Sequence, residues 1–124
     1  MTTQTIKVGI CGLGTVGQGV IALLSEGSDV LSNRVGGTIE LVHVATRTPK
    51  PEVDTLSARD SRDVFDVACD SNVDVLIELI GGTTVAKDLV VEALNQGKHV
   101  VTANKALLAD HGEELFALAE SKGV

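Results

Sequence analysis

A glycine-rich turn near the start of the chain is the first segment whose residue types and spacing indicate a ligand-binding function. Gly12–Gly17 reads G-x-G-x-x-G and follows an apolar run built on β-branched residues. In a dinucleotide site, Gly12 permits a tight turn, Gly14 lets the pyrophosphate approach the backbone, and Gly17 lets helix and strand pack closely. A helix that begins near Thr15 would point its free N–H groups at the phosphates. The turn therefore predicts a dinucleotide-binding site.

A basic segment after the second apolar run bears on the choice between the two nicotinamide cofactors. An acidic side chain at this place accepts hydrogen bonds from the adenosine ribose, whereas an arginine accommodates a 2′-phosphate. The chain has Arg47 and Lys50 here, and no carboxylate before Glu52. The planar guanidinium of Arg47 suits a phosphate, so we expect NADP to be preferred and NAD to be tolerated. A solvated basic loop is the alternative.

Two further segments follow later apolar runs. Gly81 and Gly82 would allow a ligand to approach the backbone, although an ordinary turn between strand and helix explains them nearly as well. Lys105 could bind an anionic substrate or move a proton if it lies in a cleft near a nicotinamide ring. A solvated lysine is the alternative, and Asn104 before it could cap a helix.

Other reactive residue types are interpreted as structural. Glu78 is the one charge inside a run that should be buried, and we expect a backbone N–H or a residue beyond this segment to satisfy it. Cys11 is expected to be a small packing residue. Two cysteines are too few for a disulfide framework, and the widely scattered histidines lead us to expect no metal site. These histidines are His43, His99 and His111.

Apolar periodicity predicts that strands and helices alternate along the chain. The predicted strands are Thr5–Cys11, Thr38–Thr46, Asp74–Ile80 and His99–Thr102. The first helix follows the glycine turn, with an extension past Gly27 towards Arg34 and a buried stripe of Val16, Val20, Ile21, Leu23 and Leu24. A short helix over 62–69 would be capped by Asp60 or Ser61, and the next would be capped by Thr83 or Thr84. The last would begin at Asp110, after a single apolar turn at Ala106–Ala109.

This alternation predicts an α/β fold, a doubly wound parallel sheet of the Rossmann type with strand order 3-2-1-4. Residues 1–124 would form one dinucleotide-binding domain, with Arg47–Asp60 as a loop and Val124 opening a further strand that is missing. Ligands of such sheets lie at the carboxyl ends of the strands, where the order reverses. The glycine turn and the segments at Arg47, Gly81 and Lys105 should therefore meet at one edge.

Composition excludes several other functions. Among 124 residues with a net charge of −7 there is no Tyr or Trp, which opposes binding to nucleic acid or to an anionic membrane. No apolar run approaches the roughly 18 residues needed to cross a bilayer, and the first residues do not look like a secretory signal. We therefore expect a cytoplasmic protein that binds neither nucleic acid nor membrane.

Three segments together resemble homoserine dehydrogenase. They are Gly12–Val20, Val75–Gly82 and Lys98–Ala109, and the Thr-Ala-Asn-Lys sequence within the last is more specific than the glycine motif. The resemblance runs over essentially the whole chain. It implies an oxidoreductase that reduces L-aspartate 4-semialdehyde to L-homoserine with NADPH or NADH, on the route to threonine and methionine.

The resemblance also implies residue roles. Leu13, Thr15 and Val16 would hold the pyrophosphate and its surroundings, and Arg47 would meet the 2′-phosphate. Gly81 and Gly82 would approach the ribose–nicotinamide half, which Thr102, Asn104 and Lys105 flank from the neighbouring strand. Lys105 matches a family lysine implicated in binding and catalysis.

Members of that family carry a further domain for dimerisation and substrate binding, with the principal catalytic lysine and a monovalent cation site. That domain is absent from these residues, so we expect cofactor binding, negligible turnover alone, and a homodimeric full-length enzyme that takes a small amino-acid substrate. One alternative is the nucleotide-binding domain of another amino-acid dehydrogenase, such as an aspartate dehydrogenase relative. The other is a non-catalytic module that senses NAD(P).

Overall fold

A computed structural model describes residues 4–26, 37–48, 51, 53–56 and 58–124 as a parallel sheet with helices on both faces. The strands are β1 (Gln4–Cys11), β2 (Gly37–Ala45), β3 (Arg59–Ser61), β4 (Val75–Glu78) and β5 (His99–Thr102). The helices are α1 (Thr15–Glu26), α2 (Val64–Ala68), α3 (Val85–Asn95) and α4 (Lys105–Lys122). The predicted fold class, a doubly wound parallel α/β sheet, is confirmed.

The strand order is β3-β2-β1-β4-β5, and it corrects the predicted assignment of strands. The strand predicted third is β4, and it pairs with β1 through Val8 and Val75 rather than lying outside β2. The outer place belongs to β3, which pairs with β2 inside the segment predicted to be a loop. This strand escaped prediction because it has three polar residues, and only Ser61 among them is buried.

The core fills both faces of the sheet. On one face Ile21 of α1 packs with Val8, Leu41 and other apolar strand residues. On the other face α2 and α3 cover the sheet, and Leu76 and Leu89 there are fully buried. Burial of each such leucine contributes about 1.5–3 kcal/mol. The two faces together hold the strand ends, and therefore the loops after them, in fixed positions.

The buried face of α1 differs in part from the predicted stripe. Ile21 is buried and Val20 and Leu24 pack against it, but Val16 and Leu23 are 59% and 57% exposed. At about 100° per residue, positions five before and two after Ile21 point away from the sheet. The predicted extension of this helix towards Arg34 lies outside the described residues.

Two predicted helix starts are wrong. The short helix α2 is capped by Asp63, whose Oδ1 accepts a hydrogen bond of 2.9 Å from Phe65 N, because Asp60 and Ser61 belong to β3. The last helix is continuous from Lys105, with Asn104 as its cap, instead of restarting at Asp110. Asp110 is an exposed residue within this helix, so the capping-box spacing of Asp110 and Glu113 reflects the polar, solvated face of the helix and not a helix start.

The helix α3 has Thr84 at its N-cap, as predicted, although the Thr84 side chain makes no capping hydrogen bond. Gly97 follows its end with φ of 78°, in keeping with the predicted glycine stop. None of the helices in the described part of the chain is both long and apolar enough to cross a membrane.

Candidate functional site

Two adjoining clefts lie at the carboxyl edge of the sheet. The first, the arginine cleft, has a volume of about 790 Å³ and is lined by Gly12, Gly14, Thr46, Arg47, Thr48, Arg62 and the start of α2, among others. The second, the lysine cleft, has a volume of about 360 Å³ and is lined by Val16, Glu78, Leu79, Gly81, Ala103, Asn104 and Lys105. Leu79 lines both clefts. The edge thus offers an extended groove with β1 at its centre.

The glycine turn occupies the middle of this groove, and two of its glycines have no room for a side chain. Gly12 has φ of 104°, and a Cβ on it would lie 2.8 Å from the Leu79 carbonyl oxygen. A Cβ on Gly17 would lie 2.3 Å from the Gly12 carbonyl oxygen. Gly14 is exposed and a Cβ there would meet nothing within 4 Å, so its backbone is open to a ligand. The predicted tight turn at Gly12 and the predicted close packing at Gly17 are therefore confirmed.

The four described helices all begin at this edge, but their first turns differ electrostatically. α1 and α4 carry no acidic residue in their first turns, whereas α2 has Asp66 and α3 has Asp88 there. A carboxylate in the first turn would offset the positive end of a helix dipole. α4 even begins with Lys105, which its dipole disfavours. These two helix starts therefore remain electropositive, as an anionic ligand requires.

Arg62 is a site residue that the sequence did not indicate. It lines the arginine cleft together with Arg47, and its Nη1 donates a hydrogen bond of 3.2 Å to the Thr46 carbonyl oxygen. Its guanidinium also pairs with Asp60 and stays 40% exposed. Recognition of β3 would have revealed it, because Arg62 directly follows that strand and so lies at the carboxyl edge. Two arginines thus line one cleft.

Glu78 organises the lysine cleft. Its buried carboxylate accepts hydrogen bonds of 2.9 Å from Ile80 N and 3.2 Å from Gly81 N. The Thr102 hydroxyl donates a third bond, of 2.7 Å, to its other oxygen. The expectation that a backbone N–H satisfies Glu78 is confirmed, and the carboxylate ties the loop after β4 to the end of β5.

Asn104 extends this network into the last helix. Its Nδ2 donates a hydrogen bond of 2.6 Å to the Gly82 carbonyl oxygen, and its Oδ1 accepts one of 3.0 Å from Leu107 N. Its own N–H donates to Thr102 Oγ1 at 3.0 Å. The predicted helix cap is confirmed. Lys105 comes next in the chain and is exposed at the mouth of the lysine cleft.

The other predicted site residues lie at the same edge, but they differ in how much of their surface a ligand could reach. Leu13 is 2% exposed and belongs to the core, and its carbonyl oxygen accepts a hydrogen bond from Gln18 Nε2, so this residue offers a ligand almost no surface. Thr15 and Gly82 are exposed beside the clefts. The Thr102 hydroxyl is engaged by Glu78, which gives it a supporting position rather than a free one.

Cys11 lies beneath the turn and is fully buried. Burial, followed by the nearby charge of Glu78, raises the pKa of the Cys11 thiol to about 12. The thiol is therefore protonated at neutral pH, and the predicted packing role is confirmed. Within the described ranges, no three His, Cys, Asp or Glu side chains converge in a way that could hold a metal ion.

A third cavity, of about 740 Å³, lies at the opposite edge of the sheet. It is lined by Thr5, Asp74, Lys98 and His99, among others. The Lys98 ammonium is committed to the carbonyl oxygens of Asp70 and Val73, at 2.6 and 2.9 Å. Ligands of doubly wound sheets bind at the carboxyl edge, so we assign the candidate site to the two clefts there.

Comparison with known proteins agrees with this geometry. Residues 12–124 match the family model described as homoserine dehydrogenase, NAD binding domain. The chain belongs to the homoserine dehydrogenase family. It is 52% identical over 121 residues to the homoserine dehydrogenase of Pseudomonas aeruginosa and 45% identical over 122 residues to that of Bacillus subtilis. These alignments cover 98% and 97% of this chain but 28% of each relative, so the chain spans about a quarter of their length.

Solved homoserine dehydrogenases share the fold. The structure from Thiobacillus denitrificans superposes with a TM-score of 0.92 at 41% identity, over 98% of this chain and 28% of that one. The structure from Staphylococcus aureus gives 0.89 at 32% identity, over 99% and 32%. The family thus defines this chain as an NAD-binding domain.

Proposed function

We propose that this chain is the part of a homoserine dehydrogenase that binds NADP and presents it for hydride transfer to L-aspartate 4-semialdehyde. The observation that carries the proposal is the pair of adjoining clefts at the carboxyl edge, with two arginines in one and a lysine in the other. Family membership supplies the reaction class. The bound cofactor would supply the hydride, and the residues of this chain would bind and orient it.

The pyrophosphate would lie over the glycine turn. Gly14 leaves its backbone open, and the start of α1 offers N–H groups that its own first turn does not neutralise. The residues present therefore fit a dinucleotide. Thr15 and Val16 would contribute backbone N–H groups at this place.

NADP is preferred over NAD in this proposal, because Arg47 and Arg62 both face the arginine cleft. A guanidinium forms charge-assisted hydrogen bonds with a phosphate, and two of them would hold a 2′-phosphate between β2 and β3. NAD would still bind through the turn and the lysine cleft. No acidic side chain directly follows β2, where one would favour the ribose of NAD.

The nicotinamide half would occupy the lysine cleft. Gly81 and Gly82 have φ of 77° and 78°, and a Cβ on either would meet nothing within 4 Å, so the loop leaves space for a ring and its ribose. Thr102 holds this loop through Glu78, and Asn104 holds it through the Gly82 carbonyl oxygen. Lys105 would place its ammonium beside the substrate carbonyl, where it stabilises the developing alkoxide and supplies its proton.

The remaining parts of the proposal concern the longer enzyme. Substrate selection, most of the catalytic machinery and dimerisation would come from regions that the relatives have and this alignment does not cover, so the chain alone should show negligible turnover. A cytoplasmic location stays a prediction. Family membership favours homoserine dehydrogenase over the aspartate dehydrogenase alternative. The sensing module would be favoured if the chain bound NAD(P) but took no part in the turnover of any substrate.

Calorimetric titration of the chain with NADPH and NADH tests the proposal. We expect tighter binding of NADPH, and Arg47→Ala should remove most of the difference between the two affinities. An NADPH preference that survives unchanged in Arg47→Ala would overturn the role of this arginine.

A further inference from the structure

Behind the arginine cleft lies a buried chain of polar side chains that the cofactor groove does not use directly. His43 of β2 is fully buried. Its Nε2 is 2.6 Å from Ser61 Oγ of β3, and its Nδ1 is 2.7 Å from Asp70 Oδ2. Three elements are thereby joined: β2, the edge strand β3 and the segment after α2.

These residue types and contacts are those of a nucleophilic triad, but their burial gives them another role. The His43 ring has no exposed surface and Ser61 is 8% exposed, so a substrate cannot reach either one. Partial burial raises the pKa of Asp70, but the Asn72 N–H and the His43 ring lower it by more, and the net pKa lies below its usual value. In the tautomer that carries its hydrogen on Nδ1, His43 donates a hydrogen bond to the Asp70 carboxylate, and its Nε2 accepts one from the Ser61 hydroxyl.

The chain of contacts ends at the arginine cleft. Ser61 directly precedes Arg62, and its carbonyl oxygen accepts a hydrogen bond of 3.1 Å from Thr46 N. Arg62 returns a bond of 3.2 Å to the Thr46 carbonyl oxygen. The ends of β2 and β3 are therefore clamped in both directions at the wall of the cleft.

The edge strand needs this support. β3 has three residues and pairs only with β2, where His43 lies opposite Arg59 and Ala45 opposite Ser61. So short a ladder resists displacement weakly. The side-chain bond from His43 to Ser61 adds a buried contact at the end of this strand, directly before Arg62.

We propose that His43, Ser61 and Asp70 form a positioning network that holds Arg62 in the arginine cleft and so sets the preference for NADPH over NADH. This inference rests on the proposed function. Only NADPH carries the 2′-phosphate, so displacement of Arg62 weakens NADPH binding and leaves NADH binding unchanged. A purely structural role would change both affinities together.

Calorimetric titration of single variants with NADPH and NADH tests the network, with a thermal melt of each variant. Ser61→Ala removes the hydroxyl and should reduce the ratio of the two affinities by about tenfold, as expected for one lost buried hydrogen bond. Ser61→Thr keeps the hydroxyl and should retain the wild-type ratio. Val90→Ala, in a separate apolar cluster on α3, should lower the melting temperature without changing the ratio.

Asp70→Ala acts at the more exposed end of the network and keeps the test decisive if Ser61→Ala does not fold. Asp70→Ala should also reduce the ratio of NADPH affinity to NADH affinity. A wild-type preference for NADPH that is retained in the folded variants Ser61→Ala and Asp70→Ala overturns the positioning role alone. A wild-type chain that binds neither nucleotide, or binds both equally, contradicts the proposed function and this inference with it.

Discussion

The Thr102 hydroxyl donates a hydrogen bond of 2.7 Å to the buried carboxylate of Glu78, and this contact joins the ends of two neighbouring strands. The carboxylate also accepts from two N–H groups of the loop after β4, so β5 is tied to that loop through one side chain. Because Asn104 then bonds both Thr102 and Gly82, the wall of the lysine cleft is a single hydrogen-bonded unit. The site is thus held by residues that need not touch a ligand.

Thr102→Val tests this unit. The substitution keeps the shape of the side chain but leaves a buried carboxylate oxygen and the Asn104 N–H without their partner. We expect the free energy of unfolding to fall by about 1–3 kcal/mol. Urea denaturation measures the change, and Thr102→Ser, which keeps the hydroxyl, should lie much closer to wild type. Equal stability of the valine and serine variants would show that the contact contributes nothing.

Gly17→Ala tests the close approach of α1 to the glycine turn. A Cβ would lie 2.3 Å from the Gly12 carbonyl oxygen, so the helix must shift, at a cost of about 1–3 kcal/mol. Gly19→Ala is the matched control on the same helix, because a Cβ there meets nothing within 4 Å. That control should gain about 0.5–1 kcal/mol from helix propensity. Thermal melts that rank the two variants in the opposite order would refute the packing argument.

Arg62→Ala tests the residue that only the structure indicated. Loss of one charge-assisted contact with the 2′-phosphate should weaken NADPH binding by about 10- to 100-fold and leave NADH binding nearly unchanged. Arg59→Ala is the control, since Arg59 is an exposed arginine on β3, three residues before Arg62, and is not among the residues that line the cleft. Titration calorimetry measures the four affinities. Equal losses in both variants would point to a general charge effect instead.

Asp70 predicts an acid sensitivity with a definite sign. Its folded-state pKa lies below the ordinary aspartate value of 3.8, so the unfolded chain binds more protons as the pH falls through this range. Stability from this group is therefore present above pH 3.8 and is lost below it. Denaturation at a series of pH values should show a shallower acid loss in Asp70→Asn than in wild type. Parallel pH profiles would exclude a contribution from Asp70.

The elements that the sequence predicted correctly share a strong local signal. β1, β4 and β5 are apolar runs ended by glycines or by a capping residue, and their positions alone place Gly14, Gly81 and Lys105 at one edge. The buried Glu78 was recognisable because a charge inside such a run must find a partner. Its bond to Thr102 was not, since the pairing of β4 with β5 depends on the strand order.

The parts that escaped prediction depend on tertiary contacts. β3 has two exposed residues of three, so it lacks the alternation or apolar content of a typical strand. Because β3 was not predicted, the predicted strand order was wrong and Arg62 was not recognised as a site residue. Without a strand before it, Arg62 is indistinguishable from any other solvated cation. The exposure of Val16 and Leu23 likewise depends on how α1 lies on the sheet, which helical spacing alone does not specify.

The central claim is that a pyridine dinucleotide lies along the carboxyl edge, across both clefts. Amide chemical shifts of the chain during titration with NADPH test it directly. The account predicts saturable shifts at Gly14, Arg47, Arg62 and Gly81, with little change at Lys98 and its neighbours on the opposite edge. Shifts concentrated around the cavity at Lys98, or no shifts at the glycine turn, would contradict it.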